Sequence, residues 1–441
     1  MNRNKIRQAL EKIKRKSSYL ELLKNEDFLA LWLGQAISNL GDWIIIIALI
    51  ELVYKISGSG LAVGTLMIFK ILPALFFGSI IGVLADRFNR KRIMISCDIF
   101  RGLLIVLLPF MKNLFQIYLI TFVLETFSLL FIPAKDASIP NIVDEEQILT
   151  ANSLFYTTNH FTMILGVTFG STIILLVEKV WGHIPFFQRL TGPNAAFYVD
   201  AFTFFISAAA IAMIYLPPSE HVARRIKYHQ IKEDIVGGLR FVRNNSLIRS
   251  LIMSIGIAIL GIGSIYSLGV IYCYQVLKVG KGGFGYLLSA LGMGLTLGSI
   301  FAAFLGKRFS KRRLFVVSIL TLGLALIFFA SISYYESAMI ISFIAGIALA
   351  LLTVSTYTLL HENVEDTIRG RVFTALESCL RISLLVSIAL TGAVADILGQ
   401  RVLKLGAHTI YLNGARVTLL MSGIVVIIAG LFAQRFLVRT V

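Results

Sequence analysis

Three ionisable residues lie deep inside long apolar stretches: Asp42, Lys70 and Glu125. Asp42 falls about 14 residues into its stretch and Glu125 about ten into another, so at ~1.5 Å per residue both lie far from either end. A carboxyl group taken out of water holds its proton more tightly, which suits it to binding and releasing protons reversibly. Asp42 and Glu125 are therefore candidates for proton coupling. Lys70, at a similar depth, admits two readings: a static ion pair with one of these acids, or a counter-charge and contact for an anionic substrate. Two further pairs have helical spacing, Asp98 with Arg101 three apart and Glu377 with Arg381 four apart. Each suits an intrahelical ion pair, and each is also a candidate element of a gate. Asp86 is different again. It closes one apolar stretch and is followed at once by Arg87, Arg90, Lys91 and Arg92 before the next stretch begins at Ile93. Gly82, one helical turn before Asp86, permits close approach of a neighbouring helix.

The elements that position these groups are membrane spans. Of 441 residues 57% are hydrophobic and the mean hydropathy is +0.82, more apolar than a soluble chain. The apolar residues come in runs of about 20, the length that crosses a ~30 Å hydrocarbon core. Twelve spans are expected: 28–54, 61–85, 93–111, 115–133, 151–177, 194–216, 248–275, 285–305, 314–333, 336–360, 372–398 and 413–434. They divide the chain into a basic amphipathic tail (1–27), a six-helix bundle (28–216), a basic linker (217–247) and a second six-helix bundle (248–441). Turn chemistry such as Ser57-Gly58-Ser59-Gly60 and Gly192-Pro193-Asn194 separates them. The halves correspond at an offset of about 220 residues, as in transporters built from repeats. The basic turn after Asp86 is echoed by Lys307-Arg308 and Lys311-Arg312-Arg313, without an aspartate.

The net charge of +17 follows from placement. With loops assigned alternately to two sides, 29 of the 41 Lys and Arg fall on the side that holds both termini. That is the positive-inside bias, so both termini are expected in the cytoplasm and the chain in the cell (inner) membrane. A basic balance of this origin calls for no nucleic-acid partner. Cys97, Cys273 and Cys379 have no metal-site spacing, the six His are dispersed, and no P-loop, His-Glu-x-x-His or nucleophile elbow occurs. No cofactor, no metal and no enzymatic activity are expected. The N-terminus lacks the apolar core of a cleaved signal peptide. Ile6, Leu10 and Ile13 share one helical face among lysines, which suits either a surface helix on the inner leaflet or a solvated tail.

The stretch Gly82-Val83-Leu84-Ala85-Asp86-Arg87-Phe88-Asn89-Arg90-Lys91-Arg92 resembles the helix 2–3 signature of the major facilitator superfamily, departing from it at Asn89, where the family usually has Gly. Asn tolerates the left-handed backbone that such a turn can use. Pro133 to Val143 with Leu149 to Ser153, Phe197 to Ser207, and Ile368 to Val372 resemble the branch that includes macrolide and siderophore exporters. The resemblance implies an all-α membrane protein of two pseudo-symmetric six-helix bundles that works by alternating access. It also implies that Asp86 meets the start of helix 11 near Val372, so that Gly82, Asp86, Arg87, Arg90, Lys91 and Arg92 are expected in a cytoplasmic gate, for which the spaced pairs Asp98 with Arg101 and Glu377 with Arg381 are further candidates. Helix 5 carries Gly166 and Gly170, a small-xxx-small packing face, but not the proline of the signature frequent in antiporter branches.

The expected activity is proton-coupled efflux of a lipophilic or amphipathic small molecule by a monomer among membrane lipids. Transport of a lysophospholipid or other lipid, or export of a siderophore or metabolite, stands beside it. A non-transporting receptor on the same fold and an intramembrane enzyme are the readings from other classes.

Overall fold

Apolar runs leave their backbone amides no partner in hydrocarbon except one another, so each run closes into a helix. The computed structural model describes residues 20–180, 191–216, 240–280, 282–405 and 408–438. Its helices are α1 (Glu26–Ser57), α2 (Gly60–Arg87), α3 (Arg90–Leu107), α4 (Leu114–Ile142), α5 (Ile148–Val180), α6 (Gly192–Met213), α7 (Ser246–Ile262), α8 (Ser264–Gln275), α9 (Gly283–Arg308), α10 (Lys311–Ser331), α11 (Tyr335–Asn363), α12 (Asp366–Leu398) and α13 (Gly414–Ala433). Among the described residues these make 12 helices or helix pairs long and apolar enough to cross a membrane, each overlapping an expected span. Many large apolar side chains lie bare on the surface, Phe110, Phe202, Phe304 and Met213 among them. A bilayer, not water, is the solvent that such a surface fits.

Three local differences from the expected spans have physical causes. Helix α4 runs through Pro133 and Pro140 to Ile142, so the supposed loop after Pro133 is mostly helix. A proline removes one helical hydrogen bond and bends the helix without always ending it. The seventh span is broken at Gly263, where α7 gives way to α8. There the Ser387 hydroxyl donates to the Leu260 carbonyl at 2.6 Å, and a Cβ on Gly263 would stand 2.5 Å from the same oxygen. A side chain inserted into the helical ladder is a recognised cause of such a break. Finally, Gln400–Leu405 and His408–Asn413 form an antiparallel hairpin, with Gln400 opposite Asn413 and Leu405 opposite His408.

The chain forms two compact units, one of Met1–Ala48 with Leu72–Arg225 and one of Leu49–Ile71 with Ile226–Val441. The sequence places all of 28–216 in one bundle; the fold gives the end of α1 and the start of α2 to the second unit. Local bonds account for it. Tyr274 donates to Glu51, Tyr54 packs on Tyr274 with ring centroids 5.0 Å apart, and the start of α2 is held by Asp396. The tail up to residue 19 and linker residues 217–239 lie outside the described residues.

In the first unit, Leu22, Phe28, Leu31, Met94, Phe131 and Ile211 share a buried core. Asn25 ties two helices: its carbonyl oxygen Oδ1 accepts from the Phe28 amide at 3.0 Å, and its Nδ2 donates to the Ile142 carbonyl at 2.8 Å. Helices α1 and α5 touch at Gly166 and Gly170. A Cβ on Gly166 would stand 2.6 Å from the Leu40 carbonyl oxygen, so these glycines pack as the small-xxx-small spacing suggests.

Candidate functional site

Arg101 of α3 is gripped by two carboxylates. Its Nη1 lies 3.2 Å from Asp98 Oδ1, and its Nη2 lies 3.1 Å from Asp42 Oδ2 and 3.3 Å from Oδ1. The guanidinium lies 3.8 Å from the centre of the Phe204 ring on α6, with Phe131 of α4 on another side at 5.7 Å. Helix α3 can approach α6 this closely because residue 102 is glycine: a Cβ there would stand 2.9 Å from the Phe205 ring. The Asp98 side chain is 0% exposed and that of Arg101 6%, whereas that of Asp42 is 43% exposed. Asp98 Oδ2 has no hydrogen-bond partner among the described residues. One cation is thus shared between a dry acid and a wet one. With both acids ionised the trio carries net charge −1; one proton makes it neutral.

The intrahelical pair expected from the spacing of Asp98 and Arg101 is present, but Asp42 joins it, uniting a coupling candidate with two residues assigned to the gate. Glu125 lies half-buried on α4 in the same unit. Lys70 lies half-buried in the part of α2 that belongs to the second unit.

The basic turn divides. Gly82, Asp86 and Arg87 fall in the part of α2 whose side-chain surroundings lie outside what the structure describes. Asn89 has φ −62° and ψ 114°, not the left-handed geometry expected, and serves as N-cap of α3 by accepting from the Arg92 amide. Arg92 itself is exposed. Arg90 donates to the Ala137 carbonyl at 2.7 Å and to Asn141 Oδ1 at 3.0 Å, near the end of α4. Lys91 donates to the Ala212 and Ile214 carbonyls, both at 2.7 Å, at the end of α6. Lys91 therefore satisfies a helix C-terminus within the first unit, while Arg90 binds α4 near its last turn.

Glu377 and Arg381 do not pair. The Glu377 carboxylate accepts from the Tyr357 hydroxyl of α11 at 2.6 Å, while Arg381 is exposed with no ion-pair partner among the described residues. Two further acids, Asp200 and Asp396, are engaged between helices. Asp200 is 0% exposed, with Oδ1 over Gly41 of α1. Asp396 of α12 accepts from Ser59 Oγ at 2.5 Å, the Gly60 amide at 3.1 Å and the Leu61 amide at 3.2 Å, capping α2 from outside its own helix. Neither role leaves a mark in local sequence; the glycines at 41 and 60 are the nearest signal. The second unit also holds a small apolar cavity of about 70 Å³, lined by Phe284, Leu287, Leu322, Phe329 and neighbours and by no charged side chain.

Among the described residues, twelve apolar spans with ionisable groups placed inside them define a polytopic helical membrane protein. Residues 17–431 match the family model described as "Transmembrane secretion effector", and the chain belongs to the major facilitator superfamily. It is 28% identical over 396 residues to an uncharacterised transporter of this type, YfiS of Bacillus subtilis, covering 86% of this chain and 89% of that one. It is 22% identical to macrolide efflux protein A of Streptococcus pyogenes, covering 84% and 90%. In fold it matches a bacterial homologue of the human lysosomal transporter Spinster, in an inward-facing and unoccupied conformation, with TM-score 0.72, 14% identity and coverage of 93% and 97%.

Proposed function

We propose that the chain exports an amphipathic small molecule by alternating access, coupled to proton entry through Asp42, Arg101 and Asp98. The observation that carries this is the single arginine held between a 43% exposed and a 0% exposed carboxylate inside membrane-spanning helices. A proton arriving from water meets Asp42 first. Protonation there frees Arg101 to pair with Asp98 alone and brings the trio to neutrality, the form that a dry environment favours. Discharge to the other side restores the net charge of −1. Such an exchange between a neutral and a charged form is what lets a proton gradient bias two conformations differently. Glu125, in the same unit, is the second acid of this reading.

The outward direction is supported by the relative named for macrolide efflux and by the description of the family model. The cationic loops support both termini in the cytoplasm, and the protein working as a monomer in the inner membrane is part of the same reading. The test uses inverted membrane vesicles with an acid interior and a panel of lipophilic fluorescent dyes. Accumulation that needs the gradient, is present with the native chain and is lost with Asp42→Asn is the expected result. Undiminished gradient-driven accumulation with both Asp42→Asn and Glu125→Gln would remove the coupling role from these acids.

A further inference from the structure

The structure assigns to Arg381, on α12, the task of holding an acidic group of the transported molecule, so that the substrate is an amphiphile bearing a carboxylate or phosphate. The assignment rests on the transport reading above and deepens it.

Arg381 lies at the midpoint of the 33-residue helix α12. Each end of the helix is therefore about 25 Å away at 1.5 Å per residue. An exposed arginine at this depth cannot face hydrocarbon without a large penalty, so it faces water or a ligand. The packing of α12 on α2, within the second unit, identifies which surface this is. Near the far end of α12 the two antiparallel helices touch in a regular ladder. Asp396 accepts from the Gly60 amide, a Cβ on Gly392 would stand 3.0 Å from Leu61 Cα, and a Cβ on Gly64 would stand 3.0 Å from Ile388 Cγ2. Residues 396, 392 and 388 make one stripe along the helix. Continued by further turns, the same stripe passes through 385, 381, 378 and 374.

On this one face the character changes along the helix. At the Asp396 end it is covered by α2, and Ile388 is fully buried. At the Arg381 level it is bare, and the exposed residues there are Thr374, Ser378 and Arg381. The surface of α12 at this level is thus polar and carries a cation. Ile382 and Val386, exposed beside this face, offer an apolar wall for the rest of an amphiphile. The neighbouring acid forms no ion pair with it: the Glu377 carboxylate accepts from the Tyr357 hydroxyl instead. A carboxylate or a phosphate monoanion supplies what the arginine has no partner for among the described residues: a planar or tetrahedral set of acceptor oxygens.

The experiment is equilibrium binding to the full chain in nanodiscs of phosphatidylcholine, with no proton gradient. The probes are radiolabelled dodecanoate, lysophosphatidylglycerol and the uncharged monolaurin. The native chain is expected to bind one or both acidic probes more tightly than monolaurin. Arg381→Gln is expected to weaken the acidic probes about tenfold, the worth of a charge-assisted hydrogen bond, and to leave monolaurin unchanged. Arg381→Lys is expected to recover part of the loss. Preference for dodecanoate marks a free carboxylate as the ligand, and preference for lysophosphatidylglycerol marks a lipid headgroup. Equal binding of monolaurin and both acids by the native chain overturns the assignment, and this needs no variant to fold. So does acid binding unaltered in Arg381→Gln. Because no gradient is applied, neither result depends on whether export is proton-driven.

Discussion

Arg101 and Arg381 are the same residue type, each set inside a membrane-spanning helix with an acidic residue within four positions, yet they meet opposite fates. Arg101 is enclosed by Asp98, Asp42 and the Phe204 ring. Arg381 is bare, its sequence neighbour Glu377 taken by a tyrosine. The difference lies in what the surrounding helices bring. Around Arg101, α1 and α6 supply a second acid and an aromatic face, so the charge is neutralised before any ligand arrives. Around Arg381 the helix face opens, so the charge is left for something that comes and goes. A buried cation compensated on all sides is a device for holding protons or helices; an uncompensated one in the open is a device for holding substrate.

The sharpest way to break this contrast is to remove each arginine in turn. Arg101→Leu strands Asp98 in a fully dry site, and loss of one partner from a buried pair typically costs about 3–5 kcal/mol. A large fall in Tm in detergent is expected. Arg381→Leu, which strands nothing, is expected to leave Tm within the scatter of a surface change. Adding Asp98→Asn to Arg101→Leu should restore much of the loss, since the uncompensated charge is then gone. Equal Tm for the two single variants would mean that Arg101 is not held as its geometry indicates.

How far such a contrast could be read in advance is instructive. Spans were legible because hydrophobic run length is dictated by bilayer thickness, a one-dimensional property. The spacing of Asp98 and Arg101 announced their pair for the same reason, since residues three apart share a helix face. The spacing of Glu377 and Arg381 made an equally good promise that was not kept. Nothing local says that Tyr357, twenty residues away on α11, will claim the carboxylate. Asp42 entering the Arg101 site, Asp200 lying over Gly41, and Asp396 capping α2 are all contacts between helices distant in sequence. Periodicity fixes which residues share a face, but not which face meets which. The hairpin at 400–413 escaped for a different reason: short paired strands between long spans leave too brief a pattern to stand out.

A second prediction sharpens the first unit's side of the comparison. Gly41 precedes Asp42, and a Cβ there would collide with Asp200 Oδ1 and Thr203 Oγ1. Gly41→Ala should push α1 from α6 and carry Asp42 away from Arg101. Overpacking of this kind costs about 1–3 kcal/mol, so Tm should fall by less than in Arg101→Leu while gradient-driven transport falls as far as in Asp42→Asn. Normal transport in Gly41→Ala would show that the placing of Asp42 tolerates displacement.

A smaller effect is expected at the covered end of the α2–α12 face. Asp396→Ala removes three hydrogen bonds from the start of α2, and the loss of an N-cap acceptor is worth ~1 kcal/mol. If the contact exists only in this conformation, the variant should shift the balance of conformations by about fivefold, read by cysteine accessibility at Thr374 after its replacement by Cys. Asp396→Asn, which keeps an acceptor oxygen, should shift it less. No shift in either would make the cap a fixed joint rather than one that parts during transport.

The smallest effect tests whether the basic turn belongs to the ligand-holding or the compensated kind of cation. Lys91 closes the end of α6 through the Ala212 and Ile214 carbonyls, as Arg369 meets the His361 and Val364 carbonyls at the end of α11. Cations at helix C-termini satisfy carbonyls left without amide partners and oppose the negative end of the helix dipole, worth about 0.3–1 kcal/mol each at exposed positions. Lys91→Met should therefore speed amide hydrogen exchange over the last turn of α6 a few-fold, with transport nearly intact. A collapse of transport with exchange unaltered would move Lys91 out of the helix-capping group and into the gate that the sequence resemblance implies. The bonds it makes argue for the cap: both of its acceptors belong to the helix on which the Arg101 site leans, so its charge is already spoken for on the same principle, in miniature, that keeps Arg101 from any ligand.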